Sequence, residues 1–202
     1  MSLRRISPSH DFVETVGTLD VVSVLHGPFN DPGRVVIDPC MGHDFREIHA
    51  EYLRVHGPGA GPERPFSGDL LAEIPGVARI LASNDAQGMN LGTIALTPGK
   101  DDPPQMLGLF HGPDLCVRPS SRGRGIGHAL VLTRMLIEEG LPTWDHDKPG
   151  YTPAGARVVC GVVADLQAIC AWSSGKHPDR PAIVNDLKLA VSHSATEEPS
   201  CP

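Results

Sequence analysis

The most restrictive feature of this 202-residue sequence is the stretch Leu115-Cys116-Val117-Arg118-Pro119-Ser120-Ser121-Arg122-Gly123-Arg124-Gly125-Ile126-Gly127-His128. Its first part is apolar and extended, and it halts at Arg118-Pro119 because the residue before a proline is pushed out of the helical region. Glycines then alternate with other residues, and Ile126, Ala129, Leu130, Thr133, Leu136 and Ile137 recur on one helical stripe. The segment predicts a strand, a glycine-rich turn and a long helix in immediate succession. Helix N-termini carry unpaired N–H groups and partial positive charge, so they attract phosphate oxygens. Gly123, Gly125 and Gly127 let the main chain approach such oxygens, and Arg122 and Arg124 can add charge-assisted hydrogen bonds. These residues therefore predict a phosphate or diphosphate cradle. Two common cradles are excluded by spacing. A P-loop needs a Lys after its last glycine, and none follows here. A Gly-x-Gly-x-x-Gly fingerprint counted from Gly123 puts His128 where its third glycine belongs.

The flanking sequence reads as an α/β domain. Strand-like stretches at 19–25 and 34–37 precede a helix at 44–55, where Phe45, Ile48, Tyr52 and Val55 follow helical spacing. Residues 57–68 are rich in Gly and Pro and predict a loop, and Asp69 is placed to cap a short helix at 70–74. Strands at 77–83 and 91–97 form a hairpin, and 106–117 reads as one extended strand. The helix from 126 ends at 139, with Gly140 where a C-cap glycine belongs. After a long loop, the apolar run at 157–164 predicts a strand buried on both faces, followed by a helix at 166–172 and a weak strand at 187–191. This divides the chain into 1–32, an N-terminal extension or first strand region, 33–193, the main domain, and 194–202, a disordered tail.

Composition narrows the function classes. Hydrophobic residues at 40% supply a core, and Lys+Arg 17 against Asp+Glu 24 gives a net charge of −7. That balance argues against nucleic acid as the main ligand and tilts the substrate toward a neutral or cationic molecule. The longest apolar run, at 158–164, is shorter than the roughly 20 residues that span a bilayer, and no apolar segment follows Arg4-Arg5. Neither a membrane partner nor a secretory signal is expected. Five cysteines without repeated spacing suit reduced thiols in the cytoplasm. His43 and Glu47 stand four apart but lack a third ligand, so no metal site is predicted.

Arg122, Gly125 and Gly127 form an Arg-x-x-Gly-x-Gly pattern directly after Val117-Arg118-Pro119, and this resembles the acetyl-CoA signature of the GNAT superfamily of N-acetyltransferases. The resemblance covers residues 77–175. Residues 165–172 resemble that family's Asn-x-x-Ala-x-x-x-Tyr helix, with Asp165 in place of Asn and Trp172 in place of Tyr. It implies a GNAT-like acyl-CoA N-acyltransferase fold, a mixed, mostly antiparallel central sheet flanked by helices, with acetyl-CoA as cosubstrate and no metal. By the same resemblance, the backbones of Leu115, Cys116 and Val117 pair with the pantetheine arm. An N–H near Cys116 and Val117 polarises the thioester carbonyl. Gly123, Arg124, Gly125, Ile126, Gly127 and His128, with the Arg122 side chain, hold the diphosphate.

An alkylammonium acceptor must lose a proton before it attacks, so a general base is required. His111, six residues before Val117 where several members of the family keep a Glu or His, is the candidate. Asp114 is its rival, although strand alternation aligns it with Cys116. Trp172 has no titratable proton, so another acid or water must protonate the departing thiolate. Glu51, Tyr52 and Tyr151 fall where the family's acceptor pocket forms. The expected function is acetyl transfer from acetyl-CoA to a primary amine, of a small molecule or peptide, by direct attack in a ternary complex. The alternative is a non-catalytic acyl-CoA-binding sensor or partner-binding module. The sequence leaves homodimerisation open.

Overall fold

The computed structural model describes residues 2–19, 68–84, 90–99, 104–111, 114–140 and 153–194. Helix α1 (His10–Gly17) precedes an antiparallel meander of β1 (Leu70–Ile74), β2 (Ala78–Asn84), β3 (Asn90–Leu96), β4 (Met106–His111) and β5 (Asp114–Val117). A single 3-10 turn (Pro119–Ser121) leads to α2 (Ile126–Glu138), α3 (Pro153–Ser173) and the short α4 (Ala182–Asp186). The five strands lie side by side in chain order, each antiparallel to its neighbour. The molecule is thus a mixed α/β structure with an antiparallel sheet.

Residues 70–74, expected as a short helix, are instead β1. The signal for the strand lies in the two residues after Ile74. Pro75 and Gly76 make a tight turn, with Gly76 at φ 68 and the Val77 amide donating to the Ile74 carbonyl at 2.9 Å. Proline first and a left-handed glycine second is the pattern of a type II turn, which folds Ile74 back against Ala78. The single strand expected over 106–117 is two strands, β4 and β5, joined as a hairpin.

The strand expected at 157–164 is the first half of α3. Its buried residues Val159, Val162, Val163, Leu166, Ile169 and Cys170 recur three or four apart, with pairs side by side. A short valine-rich run fits a buried strand and a buried helix equally, and only the longer period decides. Ala154–Ser173 is long and apolar enough to cross a membrane, and of its side chains Val162, Leu166, Ile169, Cys170 and Trp172 belong to the core shared with the other helices. The weak strand expected at 187–191 is reduced to a parallel bridge between Ile6 and Val191. The C-cap role expected of Gly140 falls to Glu139, which adopts the left-handed conformation at φ 48.

The sheet has two apolar faces. Ala72, Ala78, Ile80, Ala95 and Leu107 belong to the core shared with the helices, and Leu70, Leu81, Ile94, Leu96, Met106 and Leu109 form a second cluster. A bulge sets the boundary: pairing slips between Ala95↔Gly108 and Leu96↔Met106, so Leu107 joins the helical side while Met106 and Leu109 face the other. Gly108 lets α2 sit close on β4, since a Cβ there would lie 3.2 Å from Leu130 Cδ1 and 3.4 Å from Ile126 Cγ2. Thr93 Oγ1 in β3 donates to the Leu130 carbonyl at 2.8 Å and ties helix to sheet through a buried bond.

Helix α1, not foreseen in the sequence, is capped by Ser9, whose Oγ accepts from the Phe12 amide at 3.2 Å. Its Phe12, Val13 and Val16 enter the same core as α2 and α3, so the N-terminal segment packs as part of that body. Ser194, the first residue of the expected tail, donates its amide to the Ser173 carbonyl at 3.1 Å. All of the strand expected at 19–25 but Leu19, and the elements expected at 34–37 and 44–55, lie outside the described residues, as do His43, Glu47, Glu51, Tyr52 and Tyr151.

Candidate functional site

The two edges of the sheet are treated differently. Along β1, Arg4 donates its amide to Leu70 O at 2.7 Å and Glu73 donates to Leu187 O at 3.2 Å, so the terminal segments cover that edge. No strand pairs with the outer side of β5 among the described residues.

The β4–β5 register decides which groups face outward. The Arg118 amide donates to Leu107 O at 2.8 Å, next to the pairs Gly108↔Val117, Leu109↔Cys116 and Phe110↔Leu115. In an antiparallel ladder the hydrogen-bonded pairs alternate, so Cys116 turns its main chain inward to Leu109. Leu115 and Val117 turn theirs to the outer edge. Val117 O accepts from Arg122 Nε at 3.1 Å, as an outward carbonyl should.

From β5 the chain makes its 3-10 turn, in which the Ser121 amide donates to Arg118 O at 2.8 Å and the Arg122 amide to Pro119 O at 3.3 Å. The next backbone donor with an acceptor is Ala129, which bonds Gly125 O at 3.0 Å. The intervening amides, from Gly123 to His128, have no acceptor among the described residues. Gly123 and Gly125 sit at φ 73 and 79, with open space where a Cβ would be, so backbone conformation rather than crowding requires glycine there. Gly127 packs over β5: a Cβ on it would lie 3.5 Å from Leu115 Cδ2 and 3.6 Å from Val117 Cγ2. Arg122, Gly123, Arg124 and Gly125 are all exposed. The arrangement is a run of main-chain donors without acceptors among the described residues, exposed from Gly123 to Gly125, in a turn that also carries Arg122 and Arg124, at the positive end of a helix.

His128 reaches away from the sheet. Its Nε2 lies 2.7 Å from Asp165 Oδ2 on α3, with the two side chains 25% and 30% exposed. Gly161, one turn before Asp165, makes room for the ring: a Cβ there would come within 3.1 Å of His128 Cε1 and 3.2 Å of Nδ1. Sequence reasoning reaches His128 and Asp165 separately but not their pairing. The helix that joins them is hidden as long as 157–164 reads as a strand.

His111 ends β4 and stands opposite Asp114 across the hairpin, so it lies on the neighbour of the strand expected to carry it. Trp172 is nearly buried, with the His193 ring 5.0 Å away and the Arg180 guanidinium 5.6 Å from its centroid. Cys116, Cys160 and Cys170 are free thiols, and burial pushes the Cys170 thiol up to about 11. No group of three or more metal-ligating side chains occurs among the described residues. No family model, curated protein or solved structure matches the chain.

Proposed function

We propose that the protein is an acyl-CoA-dependent N-acetyltransferase of the GNAT type, in which the turn after β5 grips the diphosphate of acetyl-CoA. The observation that carries this reading is the run of amides from Gly123 to His128 without an acceptor among the described residues, beside Arg122 and Arg124. Main-chain donors on glycine-rich turns at helix N-termini suit phosphate oxygens by both geometry and dipole. The outer side of β5, with which no strand pairs among the described residues, supports the second half of the reading, because an extended pantetheine arm can add to a sheet edge as a strand does. In this reading the pairing falls to Leu115 and Val117, whose main chains turn outward, rather than to Cys116, which turns toward Leu109. The outward Val117 N–H is then the donor available to a thioester carbonyl as negative charge develops on its oxygen.

In the proposed reaction His111 accepts a proton from the acceptor ammonium. The freed amine attacks the thioester carbon, the carbon–sulfur bond breaks, the nitrogen of the new amide gives up its second proton to water, and the departing thiolate takes a proton from water. The net charge of −7 favours a cationic amine, small molecule or peptide, as acceptor.

Titration calorimetry tests the cradle. Coenzyme A should bind the wild-type protein and fail to bind Gly125→Glu, whose carboxylate would enter the anion site. Undiminished binding in that variant overturns the assignment. A thiol-release assay on an amine panel tests the chemistry, and His111→Ala should lower kcat/KM by about 10²–10⁴. The reading as a non-catalytic acyl-CoA-binding module is favoured by two observations: Trp172, which has no proton to give, is packed between His193 and Arg180, and α3 runs where a further strand was expected. Coenzyme A affinity without turnover on any amine would support that reading.

A further inference from the structure

The β4–β5 hairpin brings together two side chains that a single strand would hold apart. Positions 111 and 116 are an odd number of residues apart, so one continuous strand would send them to opposite faces. Across the hairpin Cys116 pairs with Leu109, and His111 lies two residues beyond Leu109 on β4. Neighbouring side chains fix which face is which. Phe110 lies under the Arg134 guanidinium of α2 and Leu115 packs against the helical core, whereas Leu109 and Cys116 belong with the second cluster. The pairing runs without a slip from Gly108↔Val117 to His111↔Asp114, so strand alternation puts His111 on the face of Leu109 and Cys116. Positions related diagonally in this way stand roughly 7–8 Å apart, within reach of an aromatic side chain. Both residues are half-buried, so neither is sealed in the core.

The thiol also adjoins the thioester site proposed above. The outward N–H assigned to the thioester carbonyl belongs to Val117, the residue directly after Cys116. A nucleophile followed at once by a main-chain donor to the oxyanion is an arrangement that acyl-transfer sites use. A thiol attacks as its thiolate, and an imidazole on the same face is the base that can take its proton. The other described cysteines, Cys160 and Cys170, lie on α3, and burial pushes the Cys170 thiol up to about 11.

We propose that Cys116 is a nucleophile that takes the acetyl group from acetyl-CoA before the amine receives it, with His111 as its general base. His111 accepts the Cys116 proton, and Sγ attacks the thioester carbon. The bond from that carbon to the coenzyme A sulfur breaks, and the departing coenzyme A takes the proton from His111. One thioester replaces another. The amine, deprotonated by His111, then attacks the acetyl carbon on Sγ. The Sγ–carbon bond breaks, the second proton of the new amide goes to water, and the Cys116 thiolate recovers its proton from His111. This rests on the coenzyme A reading above and deepens it, because the amine's attack falls on the thioester at Cys116.

The test uses acetyl-CoA and radiolabelled coenzyme A with no amine present. The wild-type protein should move label into acetyl-CoA, since an acetylated Cys116 returns its acetyl group to whichever coenzyme A is bound. Direct attack by the amine gives no such exchange. Peptide mass spectrometry after incubation with acetyl-CoA should find an acetyl group on Cys116 that neutral hydroxylamine removes. Cys116→Ala should abolish exchange while calorimetry still registers coenzyme A binding, and His111→Ala should slow exchange by about 10²–10⁴. Wild-type protein that binds coenzyme A yet shows neither exchange nor an acetyl group on Cys116 overturns this proposal and leaves the coenzyme A reading standing. Acetylation confined to other residues overturns it equally. Failure of both coenzyme A and acetyl-CoA to bind overturns that reading and this proposal together.

Discussion

Replacing Gly161 by alanine sets two opposed effects against each other at one atom. In the interior of α3, alanine is favoured over glycine by about 1 kcal/mol, because the glycine backbone loses more freedom on folding. The added methyl would sit 3.1 Å from His128 Cε1 and 3.2 Å from Nδ1. Comfortable carbon contacts begin near 3.5 Å, so the ring must move by a few tenths of an ångström. That motion stretches the 2.7 Å bond to Asp165, a partly buried interaction worth about 1 kcal/mol. The two effects nearly cancel, and Gly161→Ala should change the unfolding free energy by less than about 0.5 kcal/mol.

In a His128→Ala background the obstacle is gone. The same substitution should then stabilise by the full 1 kcal/mol or so, raising Tm by about 2–4 °C. Urea denaturation of the four proteins in the cycle should give a coupling near 1 kcal/mol. Equal stabilisation in both backgrounds would show that the ring does not rest on Gly161. Equal destabilisation in both would argue against a helix at this position.

Two further outcomes test other parts of the structure. Thr93→Val keeps the shape of β3 but removes the hydroxyl that donates to Leu130 O, and should cost about 1 kcal/mol in urea denaturation; a neutral effect would remove that bond from the account. Burial pushes the Cys170 thiol from 9.0 to about 11, so as pH rises the unfolded chain loses its proton before the folded one does. The contribution is complete below pH 9 and is lost as pH climbs toward 11, by at most about 3 kcal/mol. Cys170→Ala should flatten that part of the pH–stability curve, whatever its own stability, and an unchanged alkaline decline would place the cause elsewhere.

The most legible part of the chain is the turn that lacks internal satisfaction. Glycines at 123, 125 and 127 and a proline at 119 restrict the backbone locally, so the strand–turn–helix order is set by neighbours in sequence. Helix α2 is legible for a related reason: every residue of its predicted stripe from Ile126 to Leu136 is buried. Residues 157–164 mislead because valines fit either a buried strand or a buried helix, and only the longer period that runs on to Cys170 separates the two. The short helix expected at 70–74 fails because Asp69 can cap a helix, whereas pairing with β2 through the turn at Pro75-Gly76 makes a strand. The His128–Asp165 pair joins positions 37 apart in sequence and depends on two helices lying together. No local rule predicts such a meeting. The inward turn of Cys116 is set by register, which is a property of two strands rather than one.

The segments around Ile6 and Val191 are laced together by bonds from the Ile6 amide to Ala190 O at 2.7 Å and from the Ser192 amide to Ile6 O at 3.0 Å, and the Ser7 and Ser194 hydroxyls lie 3.3 Å apart. On a ribosome this seam closes last. The meander and α2 can assemble while residue 6 still waits for partners that have not yet been synthesised. A circularly rearranged gene leading from position 194 back to position 2 through a flexible bridge keeps Ile6, converts that late encounter into a local one, and should hasten folding while leaving the sheet and its exposed turn as they are.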